Sequence, residues 1–121
     1  MILADTHVLA WLAAGDDRIP PAGREKLFNL GFSISAVTAW EFEDLHRRGR
    51  LPAAAPLARI LTEFVSSVVD FPAGAWTLVK ALPPVHRDPV DRMLVAHAMH
   101  GAATLATADR NMRRYPVDLL W

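Results

Sequence analysis

The 121-residue chain has no cysteine, two lysines, no excess of either charge and no apolar run approaching the ~18 residues that span a membrane. Without cysteine there is neither a disulfide framework nor a thiolate metal site, which fits a reducing cytoplasm. Thirteen basic and thirteen acidic residues cancel, so the chain is no general basic coat for nucleic acid, and any polyanion must be met by a local patch. The apolar start over 1–4 lacks a basic leader and runs straight into Asp5 and His7, unlike a secretion signal. No repeat, low-complexity tract or long linker divides the sequence, so residues 1–121 are expected to fold as one domain. At 52% apolar residues, a chain of this length buries about two-thirds of its unfolded surface.

What is present is an alternation of short apolar runs with helical patterns. Strands are expected over 1–4, 32–35, 68–71 and 103–107, with a closing edge strand over 116–121 where Pro116 is tolerated. Helices are expected from Val8 onward, over 22–30, over 36–48 behind a Ser35 cap and before Gly49, over 73–82, and as a short turn over 111–114. A polar loop with two prolines fills 15–21, and a connection rich in proline and alanine fills 51–56. Leu57, Ile60, Leu61, Phe64 and Val65 repeat at the spacing of one helix face. Such an alternation predicts an α/β fold, a parallel central sheet covered on both faces.

The densest chemistry lies between His86 and Arg110. Asp88 is a good N-cap, Pro89 suits the first helical position, and Gly101 is placed to end the helix in a left-handed conformation, giving a helix over about 89–100. Asp91, three residues past the cap, faces the same side as Asp88. Asp109 follows the next strand, Asp5 ends the first, and Glu41 stands about two turns inside the helix after the second. In an open parallel sheet, ligands sit beyond the carboxyl ends of the strands where the strand order reverses. Singly, each acid has an ordinary structural use as turn residue, cap or solvated side chain, and capping accounts fully for Asp88. Together, Asp5, Glu41, Asp91 and Asp109 are expected at one sheet edge with no lysine near in sequence to pair them. Packed carboxylates repel unless a cation neutralises them, and oxygen donors in that number suit Mg²⁺ or Mn²⁺. Such a site handles phosphates. Arg87, Arg92 and Arg110 flank these acids, with Arg113 and Arg114 nearby; Arg47, Arg48 and Arg50 serve equally well as helix-end charges. His97 shares a helix face with Met93 and Leu94 and is expected in the core, His100 outside it. His7 has no serine or cysteine nucleophile to form a triad with, and His86 opens the motif in a loop. The four tryptophans are expected mainly in the core.

Four segments together, Asp5-Thr6-His7, Ser35-Ala36-Val37-Thr38-Ala39-Trp40-Glu41, His86-Arg87-Asp88-Pro89-Val90-Asp91-Arg92 and Thr104-Leu105-Ala106-Thr107-Ala108-Asp109-Arg110, resemble the PIN-domain ribonucleases, most closely the VapC-type toxins of toxin–antitoxin pairs. The resemblance implies a three-layer α/β/α sandwich and cleavage of RNA dependent on Mg²⁺ or Mn²⁺. Carried over by position, the acidic tetrad of catalytic and metal-binding residues falls on Asp5, Glu41, Asp91 and Asp109. Ser35 and Thr107 become polar supports, and Thr6 lies beside the site. It also implies a homodimer and a cognate antitoxin that covers the groove. The chain departs from similar sequences at Leu45, where a lysine is common, and Glu43 and Asp44 add negative charge there. Two other readings stay open: a binding module without catalysis, and a signalling receiver with Val69-Asp70-Phe71-Pro72 as phosphoacceptor segment. Neither Lys26 nor Lys80 is well placed for the latter.

Overall fold

A computed structural model describes residues 1–52 and 55–121; positions 53 and 54, inside the expected connection, lie outside the described residues. The elements run β1 (Ile2–Ala4), α1 (Thr6–Ala14), α2 (Pro21–Leu30), β2 (Ile34–Ser35), α3 (Ala36–Arg47), α4 (Leu57–Glu63), β3 (Val68–Val69), a 3-10 turn (Ala73–Ala75), α5 (Trp76–Ala81), α6 (Pro89–His100), β4 (Thr104–Ala106), a second 3-10 turn (Arg110–Arg114) and β5 (Asp118–Leu119). All strand pairings are parallel. β1 pairs with β4, β4 with β5 and β2 with β3, and a bridge from Leu3 to Ser33 joins the two parts. The resulting order is β3-β2-β1-β4-β5, so it reverses between β1 and β4.

Successive side chains of a strand point to opposite faces, and here both faces are covered. Ile2, Ala4 and Ala106 pack with Val8, Leu9 and Leu12 of α1, Leu27 of α2, Phe42 of α3 and Ile60 of α4. Leu3 and Leu105 point the other way, onto Leu94, Val95 and Ala98 of α6 with Ala75 and Leu82. These two cores make the fold α/β with three layers around a parallel sheet.

Several boundaries differ from expectation. Gly101 is not left-handed (φ −95°); Ala102 is, at φ 49°. The helix ends at His100 as expected, but it closes one residue later, with Ala103 N–H donating to the Ala98 carbonyl (2.8 Å) and Ala102 N–H to Met99 (3.4 Å), which leads the buried Ala103 into β4. α4 ends in the same way: Ser66 N–H donates to Leu61 (2.8 Å) and Val65 to Thr62 (3.2 Å), with Val65 at φ 51°. Val65 therefore leaves the apolar stripe and is 91% exposed. Strand β3 stops at Val69, and the helix expected over 73–82 is a 3-10 turn followed by α5. Trp40 and Trp76 are exposed rather than core.

A β-branched residue held left-handed is strained, and this one has no burial to lose. Val65→Gly is expected to stabilise the fold by about 0.5–1 kcal/mol, after the added freedom of the unfolded chain is subtracted. The urea midpoint of the variant measures this; a lower midpoint would mean that Val65 packs against something in solution.

Candidate active site

The reversal of strand order places the ends of β1 and β4 side by side, and each ends in an aspartate that caps the next element. Asp5 Oδ1 accepts from Val8 N–H (2.8 Å) at the start of α1. Asp109 Oδ1 accepts from Asn111 N–H (2.9 Å), while Asp88 Oδ1 accepts from Val90 (2.8 Å) and Asp91 (3.3 Å) at the start of α6. Capping engages one oxygen of each carboxylate; at Asp109 the other is bonded to His86 (2.6 Å). Glu41 reaches the same edge from within α3.

Asp5, Glu41 and Asp91 line one cavity of about 330 Å³, with Thr6, His7, Thr38, Leu45, Arg50 and Asp88 among its walls. Burial raises the Asp5 carboxyl above its usual range, against a hydrogen bond from Thr107 and the Val8 N–H; nearby Asp109 raises it further. Burial also raises Glu41, opposed by the Thr6 hydroxyl, which donates to Oε1, and helped by Asp88 and Asp5. Asp91 is pushed up to about 6, first by burial and then by Asp88, with Glu41 and Asp109 adding to it. For Asp109 burial acts upward too, but the hydrogen bond from His86 and the Asn111 N–H outweigh it and hold the group below its usual range.

Asp5, Glu41 and Asp91 thus share one cavity, while Asp109 lines the neighbouring one and is near enough to raise Asp5 and Asp91. Among the described residues, however, no three of His, Cys, Asp and Glu already stand together as a metal cage. The donor set still fits a hard divalent cation: three carboxyls are raised above their usual range, first by burial and then by neighbouring acids, and Thr38 Oγ1 is buried at the cavity wall without a partner among the described residues. Asp5, Glu41, Asp91 and Asp109 are the residues that would hold it.

The supporting residues divide. Thr6 is buried and fixes Glu41. Thr107 hydrogen-bonds Asp5 and accepts from Asp109 N–H (3.1 Å), tying the two strand ends together. Ser35 caps α3 through Val37 N–H (3.3 Å) and bonds His97 Nδ1 (2.8 Å), so it supports the site by docking α6. His97 is buried as expected, and burial lowers its pKa. Of the arginines, Arg87 is exposed, Arg110 lines a separate cavity with Asp109, and Arg92, expected at the RNA backbone, is engaged within the protein. Its guanidinium donates to the carbonyls of Val79 (2.8 Å), Leu82 (3.3 Å) and Pro83 (2.9 Å), because the end of α5 and the turn after it present those acceptors side by side. Asp44 pairs with Arg47 (3.1 Å) and Arg48 (2.9 Å). Asp70 follows the edge strand β3, two strands from β1, so the receiver-like motif does not join these acids.

Four contributors escape the sequence reading. His86 Nε2 lies 2.6 Å from Asp109 Oδ2 and Nδ1 lies 2.8 Å from the Tyr115 hydroxyl, on which the ring stacks. A neutral imidazole donating from Nε2 and accepting at Nδ1 satisfies all of these groups, since Tyr115 Oη also accepts from His86 N–H (3.1 Å). No sequence signal marks this contact across 29 residues. Asp88 is a cap and also a charge on the cavity. Thr38, one turn before Glu41, was legible from helical spacing. Arg50 is brought to the rim after the reversal at Gly49 (φ 66°).

Comparison with known proteins bears on the fold and the family. The family model for the PIN domain matches residues 2–118. Ribonuclease VapC22 of Mycobacterium tuberculosis is 28% identical over 118 residues, covering 94% of this chain and 91% of that protein. Among solved structures, VapBC2 from Rickettsia felis, bound to a DNA fragment from their promoter, superposes with a TM-score of 0.69 at 18% identity, over 98% of this chain and 97% of the other. FitAB bound to the IR36 DNA fragment gives 0.63 at 17%, over 98% and 93%.

Asp91 keeps its proton up to about pH 6 when folded but releases it around 3.8 when unfolded, so folded stability falls as pH rises through that window. Asp91→Asn removes the loss. The variant is expected to be more stable than wild type near neutral pH by about 1 kcal/mol, the half-exposed carboxyl being partly screened, and equal to it in acid below the window. Urea unfolding at the two pH values measures the difference; a variant less stable at neutral pH would contradict the placement.

Proposed function

Because the chain belongs to the PIN-domain family, we propose that it is an endoribonuclease that uses Mg²⁺ or Mn²⁺ to hydrolyse RNA phosphodiester bonds, and that it is the toxin of a toxin–antitoxin pair. The observation that carries this reading is the convergence of Asp5, Glu41, Asp91 and Asp109 at the strand-order reversal, with three of the four short of positive charge. When bound, a divalent ion supplies an activated water and offsets charge on the phosphodiester oxygens.

The chain's own residues do the positioning. Asp5 and Asp109 are fixed by their caps and by Thr107, Glu41 by Thr6, and the Asp109 carboxylate by His86, which keeps it ionised. Arg87 and Arg110 are free to meet RNA phosphates, whereas Arg92 is engaged in holding the end of α5. Leu45, in the cavity wall, leaves Arg50 as the cationic side chain there. The ribonuclease name of VapC22 supports the substrate class, and the VapBC2 and FitAB assemblies support a cognate antitoxin; a homodimer is part of the proposal. Such a protein acts in the cytoplasm. Among the described residues no helix is long and apolar enough to cross a membrane.

Purified protein free of antitoxin is expected to cut a total RNA pool into discrete fragments with Mg²⁺ or Mn²⁺, and not in chelator. Asp5→Asn and Asp91→Asn should each lower the rate by roughly a hundredfold or more. Mapped fragment ends identify the target. A folded wild-type protein that leaves every RNA as intact as the variants do sinks the nuclease and favours the binding module.

A further inference from the structure

Beside Asp109, outside the carboxylate cavity, a second hollow of about 290 Å³ opens at the ends of β4 and β5, walled by Arg18, Arg110, Arg113, Thr107, Asp109 and Trp121 among others. Three guanidiniums share it with a single acid, in a chain whose charges sum to zero. That acid is already occupied: Asp109 accepts from His86 and from Asn111 N–H. Among the described residues, neither Arg110 nor Arg113 has an ion-pair partner. Arg18 has only a long contact to Asp16 (3.6 Å), with 66% of its own side chain exposed. The hollow is therefore a concave site of uncompensated positive charge, furnished with planar donors that match phosphate oxygens in pairs.

We propose that this hollow is a phosphate subsite that grips the backbone of single-stranded RNA next to the carboxylate cluster; the proposal rests on the ribonuclease reading. Two features select an RNA strand over an isolated anion. First, the hollow adjoins the reacting edge, since Thr107 and Asp109 form its wall while Thr107 also hydrogen-bonds Asp5 in the other cavity. Second, α1 carries a ridge between the cavities. His7 lines the carboxylate cavity, its ring lies 6.0 Å from that of Trp11, and the Arg18 guanidinium sits 5.3 Å from the Trp11 ring centre. A half-buried indole flanked by an imidazole and a guanidinium is a surface on which unpaired bases stack, between a place for the reacting phosphate and a place for a later one. The Trp121 ring is fixed at the far wall, held so closely against Gly23 that a Cβ there would lie 2.5 Å from it.

The test is fluorescence-anisotropy binding of a short labelled oligouridylate, in chelator to silence cleavage, across a salt series. Arg110→Gln/Arg113→Gln is compared with wild type and with Arg59→Gln, a charge removed from the exposed side of α4. The double variant is expected to bind roughly tenfold more weakly at low salt, with the slope of log affinity against log salt reduced by about 0.7 for each arginine, while Arg59→Gln stays within about twofold of wild type. Equal affinity and slope in the double variant and wild type overturn the subsite, as does an equal loss in Arg59→Gln, which would reduce the effect to net charge. Cleavage is assayed separately with Mg²⁺. Arginine-dependent binding by a wild-type protein that cuts nothing keeps the subsite and removes the nuclease, whereas cleavage with arginine-independent binding does the reverse.

Discussion

The register of β1 against β4 fixes nearly everything that follows. Ile2 lies opposite Thr104, Leu3 opposite Leu105 and Ala4 opposite Ala106, and Asp5 N–H continues the ladder onto the Ala106 carbonyl (3.0 Å). The next pair is then Asp5 and Thr107, which brings the hydroxyl to the carboxylate, with Asp109 two residues beyond. A slip of one residue would turn Leu105 toward the face that small Ala106 now fills, and would part Asp5 from Thr107. The two hydrophobic cores hold that register, so the site inherits its geometry from packing on both faces of the sheet and not from its own contacts.

Its own contacts work against it. Asp5, Glu41 and Asp91 are each raised above the usual carboxyl range at this edge, first by burial, and Asp88 adds a further charge beside Glu41 and Asp91. Hydrogen bonds offset part of the cost: Val8 N–H and Thr107 at Asp5, Thr6 at Glu41. Asp109 is the exception, because His86 donates to it and is oriented in turn by Tyr115. The edge therefore combines one carboxylate held ionised with three that await positive charge. Stability is spent there on function, and the cores carry the difference.

How much of this was legible in the sequence depended on the range of the signal. The central helix was readable to the residue at its start, because Asp88-Pro89 combines a cap with the one residue suited to N1, and the strand-end positions of Asp5 and Asp109 followed from apolar runs. The other end of that helix was misread: glycine favours a left-handed turn at Gly101, yet the buried anchor Ala103 moves the turn to Ala102. Val65 deceived helical periodicity in the same way. Contacts over long separations left no local trace, as with His86 on Asp109 and Tyr115. Arg92 illustrates the converse, since proximity in sequence to the acids suggested a substrate contact while the carbonyls clustered after α5 decide where its guanidinium goes.

A net charge of zero hides a division that matters more than the sum. Negative charge is concentrated in one cavity, and the arginines not consumed by structure are concentrated in the next. Asp44 takes Arg47 and Arg48, and the carbonyls after α5 take Arg92, which engages within the protein several of the cations that sequence places near the acids. Arg50 stands at the carboxylate rim, Arg87 is exposed beside Asp88, and Arg18, Arg110 and Arg113 line the hollow beyond Asp109. A polyanion approaching carboxylates alone would be repelled at short range, where screening by salt is weakest. With guanidiniums beside them, attraction to neighbouring phosphates opposes that repulsion, and the carboxylates stay free to bind a cation instead of pairing with basic side chains. On the proposed ribonuclease reading, separating the two charges into adjoining cavities is the condition under which an acidic edge can receive RNA.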